Sequence, residues 1–162
     1  MPPQTTEFRS ELRESDAEAV ARIVTHTGVF SAAEIEIARS LVEETRAGLP
    51  GADYRFLFMD GANGLDAYTC FGPIPGTQNR YELYWIAVDP SARRRGLGQA
   101  LIAETERAVR ALHGTHLFAH TSTRADYIPA RAFYVAHGYI QHADIPDYYS
   151  DGDGMAIYGK RL

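Results

Sequence analysis

Residues 80–114, RYELYWIAVDPSARRRGLGQALIAETERAVRALHG, decide the fold, because they indicate a strand, a sharp turn and a long helix in succession. Aromatic and aliphatic residues occupy both alternating faces of the first part, as in a strand that is covered on both sides. Pro90 ends this strand, since proline has no N–H to give to a neighbouring strand. Beyond the turn, apolar residues recur at helical spacing: Leu97, Leu101, Ala108 and Leu112. Gly114 is expected to end the helix.

The turn between strand and helix predicts an anion-binding site. Gly96 and Gly98 allow the backbone to approach a ligand closely. The N–H groups of the first helical turn and the helix dipole favour a negative group there, such as a pyrophosphate. The arginines at residues 93–95 add positive charge and bidentate donors. The glycine spacing differs from the dinucleotide fingerprint and from the P-loop, so a different nucleotide fold is indicated.

Residues 88–100, VDPSARRRGLGQA, resemble the acetyl-CoA loop of the GNAT superfamily of N-acetyltransferases, whose core is [Arg/Gln]-x-x-Gly-x-[Gly/Ala]. Arg93, Gly96 and Gly98 occupy the core positions. Residues 130–139, ARAFYVAHGY, resemble the later motif of the same family, a helix with Phe-Tyr followed by glycine and an aromatic residue. Both motifs occur in the family's order. The resemblance is good over residues 80–162 and extends to the first half only through the order of elements.

The resemblance implies acetyl-CoA as cofactor and acyl-donor substrate. It places the pantetheine arm and the thioester carbonyl against main-chain groups at the end of the strand, and the pyrophosphate on the turn. The implied cofactor-binding residues are Ile86, Ala87, Val88, Arg93, Arg94, Arg95, Gly96, Leu97, Gly98 and Gln99.

The order of predicted elements is strand, two helices, three strands, helix, strand, helix and two strands. The predicted strands cover residues 6–12, 54–60, 65–71, 81–88, 116–121, 139–145 and 155–160. Helices are predicted near Asp16, from the capping box of Ser31 and Glu34, after Gly96 and from Pro129. Turns are expected at residues 146–147 and 151–154. This order predicts a GNAT-like mixed α/β fold, with a mostly antiparallel sheet and a central parallel strand pair flanked by helices.

Length and composition predict one domain over residues 1–162 that is large enough to bury a core, and the resemblance implies that this is an N-acetyltransferase domain. The net charge of −5 argues against nucleic acid and against an anionic membrane as partners. Cys70 is the only cysteine, which excludes an internal disulfide and favours a cytoplasmic location. The first residues lack the features of a signal peptide, and no apolar run reaches membrane length.

Tyr134 is the candidate general acid, because it occupies the Phe-Tyr of the second motif. The resemblance places this tyrosine beside the sulfur of CoA. A phenol can donate a proton to a departing thiolate while it stays neutral near pH 7. The alternative is that Tyr134 only packs in the core.

Glu82 is the candidate base for the amine. It shares a strand face with Tyr84, Ile86 and Val88, and apolar surroundings raise the pKa of a carboxyl group. An ordinary salt bridge at the edge of the sheet is the alternative role, and water can also relay the proton. His116 and His120 share one face of the next strand, and His120 can replace Glu82 as base. A zinc pair is the remaining possibility, but no Cys/His/Asp cluster accompanies it, so no metal is predicted.

Candidates for acceptor binding come from two places in the chain. The segment between the first two helices borders the substrate in the family, which nominates Phe30 and Glu34, and core or surface packing is the favoured alternative. Tyr148 and Tyr149 resemble the aromatic pairs that line acceptor sites in protein N-terminal acetyltransferases, and surface-loop tyrosines are the alternative.

The predicted function is acetyl transfer from acetyl-CoA to a primary amine, either a small molecule or a peptide N-terminus. A non-catalytic acyl-CoA sensor of the same fold is the alternative, and another nucleotide at the turn is a third, weaker possibility. The expected partners are the amine acceptor and, by resemblance, a second copy in a homodimer.

Overall fold

The computed structural model describes residues 7–93 and 95–162, so the predicted cofactor residue Arg94 lies outside the described residues. The chain forms two compact units, which are described separately. The N-terminal unit runs up to Gly72 and includes Trp85–Thr105. The C-terminal unit comprises Pro73–Tyr84 and Glu106–Leu162.

The described residues form a six-stranded sheet and four α-helices, with two short 3-10 turns at Pro90–Ala92 and Ala125–Tyr127. The helices are α1 (Asp16–Thr27), α2 (Ala32–Ala47), α3 (Leu97–Ala111) and α4 (Ile128–Ala136). The strands are β1 (Arg55–Gly61), β2 (Gly64–Pro73), β3 (Arg80–Val88), β4 (His116–Ser122), β5 (Ile140–Ser150) and β6 (Asp153–Arg161). The sheet order is β1-β2-β3-β4-β6-β5, mostly antiparallel, with β3 parallel to β4. This confirms the predicted fold class.

The N-terminal unit has its core between α1, α2 and the β1–β2 hairpin. Phe58 and Tyr68 are fully buried on the strands, and Val20 is fully buried on α1. The predicted capping box opens α2, with the Glu34 carboxylate accepting from the Ser31 N–H at 2.6 Å. In this unit the chain before α1 differs from prediction.

The first predicted strand, residues 6–12, was wrong for the part that the structure describes. Between residues 7 and 12, only Arg9 pairs, through an isolated antiparallel bridge with Phe58. The Arg9 N–H donates to the Phe58 carbonyl at 2.9 Å, and the Phe58 N–H donates back at 2.7 Å. The Arg9 side chain forms ion pairs with Asp16 and with Asp60, which lies 51 residues further along the chain, and a strand pattern does not reveal such contacts.

The C-terminal unit buries one face of β4 and β6. Leu117 and Ala119 on β4 lie on this buried face, with Ala156 and Tyr158 on β6. Strand β5 forms the outer edge, and its side chains are largely exposed.

The turn that was predicted at residues 146–147 is wrong, because β5 continues to Ser150. An edge strand tolerates Pro146, since its missing N–H is not needed on the outer side. The register shifts between Ile145 and Ser150, and Asp147 adopts a φ of 55° there. This irregularity depends on how β5 pairs with β6, whereas the sequence shows only turn-forming residues at this place.

Helix α3 buries a different stripe from the predicted one. Leu97 and Leu101 are buried as expected, but Ala108 and Leu112 are only half-buried. The other buried residues of the helix are Ile102, Thr105, Glu106 and Val109. Two polar residues therefore belong to the buried stripe, which is why the apolar pattern misplaced its second half. Within the described residues, no helix is both long and apolar enough to cross a membrane.

Candidate active site

The predicted anion site lies in the N-terminal unit, where β3 passes through a short turn into α3. The Asp89 carboxylate stabilises this turn by accepting from the N–H of Ser91 at 3.0 Å and from its hydroxyl at 2.7 Å. Gly96 has a φ of 71°, which favours glycine, and a Cβ built on it would meet no atom within 4 Å. The first helical bond runs from the Ala100 N–H to the Gly96 carbonyl at 3.1 Å.

This geometry fits a diphosphate group. The N–H groups of Leu97, Gly98 and Gln99 precede the first helical acceptor pair, so helix geometry leaves them without a partner inside the helix. Arg93 is exposed beside them. Arg95 lies beside Asp66, with 3.1 Å between its Nη1 and the Asp66 Oδ2, so its guanidinium already contacts a carboxylate.

Ile86, Ala87 and Val88 form the last part of β3, directly before this turn. Ala87 is buried, and its two neighbours are half-buried. Backbone groups at the end of a sheet strand are already oriented, so a ligand that binds along them requires little reorganisation.

Glu82 and His120 form a pair in the C-terminal unit, with 3.3 Å between Oε1 and Nδ1. The Glu82 side chain is 17 % exposed and that of His120 is 38 % exposed. Burial raises the pKa of the Glu82 carboxyl, and the charge of His120 opposes this rise. The structure thus brings together two residues that the sequence offered as alternative bases. Strand β3 lies inside the sheet order, so this pair is not at a sheet edge.

Tyr134 lies on α4 in the C-terminal unit and is buried. Its ring stacks on Tyr158 and meets the edge of Tyr139, both with centroids 5.6 Å away. Burial raises the pKa of the Tyr134 phenol above its ordinary value. The phenol is therefore a neutral proton donor at physiological pH, held in one orientation by aromatic packing.

A buried charge cluster next to Tyr134 was missed from the sequence. The Tyr139 hydroxyl donates to the Glu106 Oε1 at 3.0 Å, and the Lys160 Nζ lies 2.9 and 3.1 Å from the two Glu106 oxygens. Burial and the neighbouring Glu106 raise the pKa of Tyr139. The available signal was Glu106 itself, since it lies at helical spacing between the buried Ile102 and Val109.

The acceptor candidates divide between the two units. In the N-terminal unit, the Phe30 ring packs against Trp85 at 5.0 Å, and the Glu34 carboxylate serves the cap of α2. In the C-terminal unit, Tyr148 and Tyr149 are exposed on β5 and form an edge-to-face pair at 5.0 Å.

His116 shares its strand face with His120, as predicted, but its neighbours are cationic and aromatic. Its ring stacks with Phe118 at 6.2 Å. Burial, reinforced by the charges of Arg80, Arg161 and His142, lowers the pKa of His116. In the parts of the chain that the structure describes, no group of three or more His, Cys, Asp or Glu side chains is arranged to hold a metal ion.

Comparison with known proteins identifies the family. The model of the acetyltransferase (GNAT) family matches residues 32–139. A GNAT-family protein from Desulfovibrio desulfuricans is 38 % identical, with a TM-score of 0.92 over 96 % of this chain and 98 % of that one. A ribosomal-protein-alanine N-acetyltransferase from Brucella melitensis is 18 % identical, with a TM-score of 0.74 over 96 % of this chain and 99 % of that one. The PaiA N-acetyltransferase from Thermoplasma acidophilum, solved with coenzyme A, is 17 % identical, with a TM-score of 0.69 over 96 % and 98 %.

The chain therefore belongs to the GNAT acetyltransferase family. The two more distant structures share its fold. Family membership makes the protein an acetyl-CoA-dependent acyltransferase, and acetyl-CoA is the acyl donor.

Proposed function

We propose that the protein transfers the acetyl group of acetyl-CoA to a primary amine of a small molecule or of a peptide N-terminus. The observation that carries this proposal is the Glu82–His120 pair, in which Glu82 lies on the strand that leads into the predicted anion-binding turn and His120 lies on the neighbouring strand β4. An amine is a nucleophile only when it is neutral, so the enzyme needs a group that removes a proton from it. A half-buried carboxylate with a raised pKa next to a more exposed imidazole meets this need.

Glu82 accepts the proton of the acceptor amine. Its raised pKa brings its basicity closer to neutral pH, which favours general-base catalysis. His120 lies within 3.3 Å and is more exposed, so it can pass the proton on to water. The two residues act in sequence: Glu82 takes the proton from the amine, and His120 transfers it to water.

Tyr134 donates the proton that the departing thiol requires. Acetyl-CoA supplies an activated thioester, whose thiolate leaves as the amide forms. The buried Tyr134 is neutral at the start of the reaction and can give its proton to a thiolate. Tyr139 and Tyr158 hold the ring, so the hydroxyl keeps its direction.

The turn and the end of β3 hold the donor. The N–H groups of Leu97, Gly98 and Gln99 bind the pyrophosphate together with Arg93, and the backbone of Ile86, Ala87 and Val88 binds the pantetheine arm and the thioester carbonyl. We assign Arg94 to the same anion site from the sequence motif alone. Arg95 contributes through its charge or stabilises the turn through Asp66.

The whole chain acts as one acetyltransferase domain in this proposal, since the family model spans segments of both units. A cytoplasmic location is supported by Cys70, a buried free thiol. The homodimer stays a prediction, which light scattering on the purified protein tests.

Thermal unfolding with acetyl-CoA tests the donor site. At a hundredfold excess over Kd, the ligand should raise Tm by roughly 8 °C, because it binds only the folded state. The variant Gly98→Trp should abolish this rise, since the indole would fill the turn. The matched control Gln99→Ala should keep it, because the exposed Gln99 binds through its N–H.

Mass spectrometry of amines incubated with acetyl-CoA completes the test. An acetylated product that Gly98→Trp no longer forms supports the proposed reaction. Cofactor binding without any product, unchanged by Tyr134→Phe, would identify an acyl-CoA sensor instead.

A further inference from the structure

The face of the C-terminal unit that carries Glu82 and His120 continues well beyond this pair. Register between the strands arranges its side chains in rows across β3, β4 and β6. The first row is Arg80, His116 and Arg161; the second is Glu82, Phe118 and Gly159; the third contains His120 and Ile157. We call these rows, with His142 of β5, the open face.

An aromatic floor lies in the middle of the open face. A Cβ on Gly159 would come within 2.8 Å of the Phe118 ring and 2.9 Å of His142, so both rings close over this glycine. Their centroids are 6.2 Å apart. Phe118 is half-buried and His142 is exposed, so each ring offers surface to a ligand. The absent side chain of Gly159 leaves room for both rings, which are tilted by 56° to each other.

Unpaired positive charge lies at the far end of the open face. Arg80 donates to two uncharged oxygens, the Gln78 carbonyl at 2.9 Å and the Thr115 hydroxyl at 3.3 Å. Among residues 7–93 and 95–162, no carboxylate forms an ion pair with Arg80 or Arg161. The lowered pKa of His116 between them reflects the same positive field, added to burial. In a chain of net charge −5, two free arginines in one row indicate an anion subsite.

The charge of the open face therefore changes from one end of its strands to the other. One end offers the carboxylate of Glu82 to an amine, the middle offers rings, and the other end offers guanidinium groups to an anion. Along the strands, the Glu82 row lies two residues from the row of Arg80 and Arg161, a distance of about 7 Å. His120 lies four residues from His116, a distance of about 13 Å. An acceptor that uses both ends carries its anion about 10 Å from its amine, which is the extended length of roughly three peptide residues.

We propose that the acceptor is an amine that bears a carboxylate, with the amine at Glu82 and the carboxylate on Arg80 and Arg161. The aromatic floor of Phe118 and His142 contacts the part between them. This inference rests on the proposed acetyl transfer and names its substrate class: a short peptide, or a peptide N-terminus with an acidic residue near position three. Arg80, Arg161 and Phe118 are then specificity-determining residues.

Matched peptides test the subsite. The tripeptide Ala-Gly-Phe with a free carboxylate should be acetylated with kcat/KM about tenfold above that of its C-terminal amide, as expected for one charge-assisted contact. A second pair, Ala-Gly-Asp-amide and Ala-Gly-Asn-amide, separates an acidic side chain from a chain terminus. A preference for the carboxylate in either pair supports the proposal.

The variant Arg161→Gln should raise KM for the carboxylate peptide about tenfold, with little change in kcat or in the turnover of the amide. Arg46→Gln, which changes an exposed arginine of α2, is the matched control and should behave like the wild type. Equal turnover of acid and amide by the wild type, or an unchanged preference in Arg161→Gln, overturns the subsite. So does acetylation of benzylamine but of no peptide. If no amine is acetylated at all, the proposed function itself fails.

Discussion

Arg9 of the N-terminal unit and the two arginines of the open face have opposite surroundings. In the N-terminal unit, Arg9 makes bidentate contacts to Asp16 at 2.8 Å, and it contacts Asp60 at 2.8 and 3.0 Å. In the C-terminal unit, Arg80 and Arg161 flank His116, and no carboxylate of the described residues pairs with either. The charge of Arg9 is balanced by two carboxylates within the fold, and the charges of Arg80 and Arg161 are not balanced by any described carboxylate.

The difference separates structural charges from charges that remain available for a ligand. The Arg9 side chain is 12 % exposed and Asp16 only 3 %, so the buried Asp16 carboxylate needs the Arg9 guanidinium to balance its charge. Hydrogen bonds from Arg9 lower the pKa of Asp60, although burial opposes this. Within the described residues, the arginines of the open face do not balance a buried carboxylate, so their substitution should change substrate binding rather than folding.

Glu82→Gln is expected to give the largest effect, confined to activity. Loss of the base should lower kcat/KM about a hundredfold or more. Tm should stay the same or rise slightly, because burial disfavours the charged form of Glu82 in the folded protein. Steady-state kinetics and thermal unfolding on the same samples check both halves.

The pH profile sharpens this prediction. In the wild type, kcat/KM should fall on the acid side at a pH above the ordinary pKa of glutamate, since the pKa of Glu82 is raised. The acid limb should be lost in Glu82→Gln. Retention of that limb with unchanged activity would remove Glu82 from the mechanism.

Arg9→Met is expected to give the next effect, confined to stability. It removes the ion pair of the buried Asp16, whose carboxylate keeps the hydrogen bond from the Arg13 N–H at 2.6 Å, and this loss should cost about 3 kcal/mol of unfolding free energy. Urea unfolding measures this loss, and kcat of the folded fraction should not change. Arg13→Gln is the control, because the Arg13 side chain is exposed and pairs with Asp60 at 3.3 Å, while the backbone bonds of Arg13 to Asp16 are kept, so less than about 0.5 kcal/mol should be lost. A drop in kcat as large as the drop in stability would contradict the separation of roles.

Asp60 should give the smallest effect, visible as a pH dependence. Its pKa is lower in the folded than in the unfolded protein, so its contribution is present above the unfolded pKa and lost as the pH falls through the folded one. The side chain is 40 % exposed, which limits the contribution to less than about 1 kcal/mol. Urea midpoints from neutral to acid pH should fall less steeply in Asp60→Asn, and identical slopes would show that another carboxyl group dominates.

Local signals predicted most of the fold. The capping box of α2 and the glycine turn before α3 depend on neighbours in sequence, and the structure confirms them. The predictions failed where packing decides: the first strand became a bridge at Arg9, β5 continued through Pro146, and the buried stripe of α3 took in Glu106. A charged residue in a buried stripe is stable only when its partners are in place, and Lys160 and Tyr139 come from distant parts of the chain.

The sequence alone revealed the family motifs, predicted an anion-binding turn before α3 and supplied the candidates Glu82, His120 and Tyr134. It did not establish that Glu82 and His120 meet, because the register of parallel strands β3 and β4 depends on how the intervening helix packs. The same register aligns Arg80, His116 and Arg161 in one row, where neither arginine pairs with a carboxylate of residues 7–93 or 95–162. Which charged side chains of neighbouring strands form ion pairs depends on the distances between those strands, and these distances are fixed only when the chain has folded.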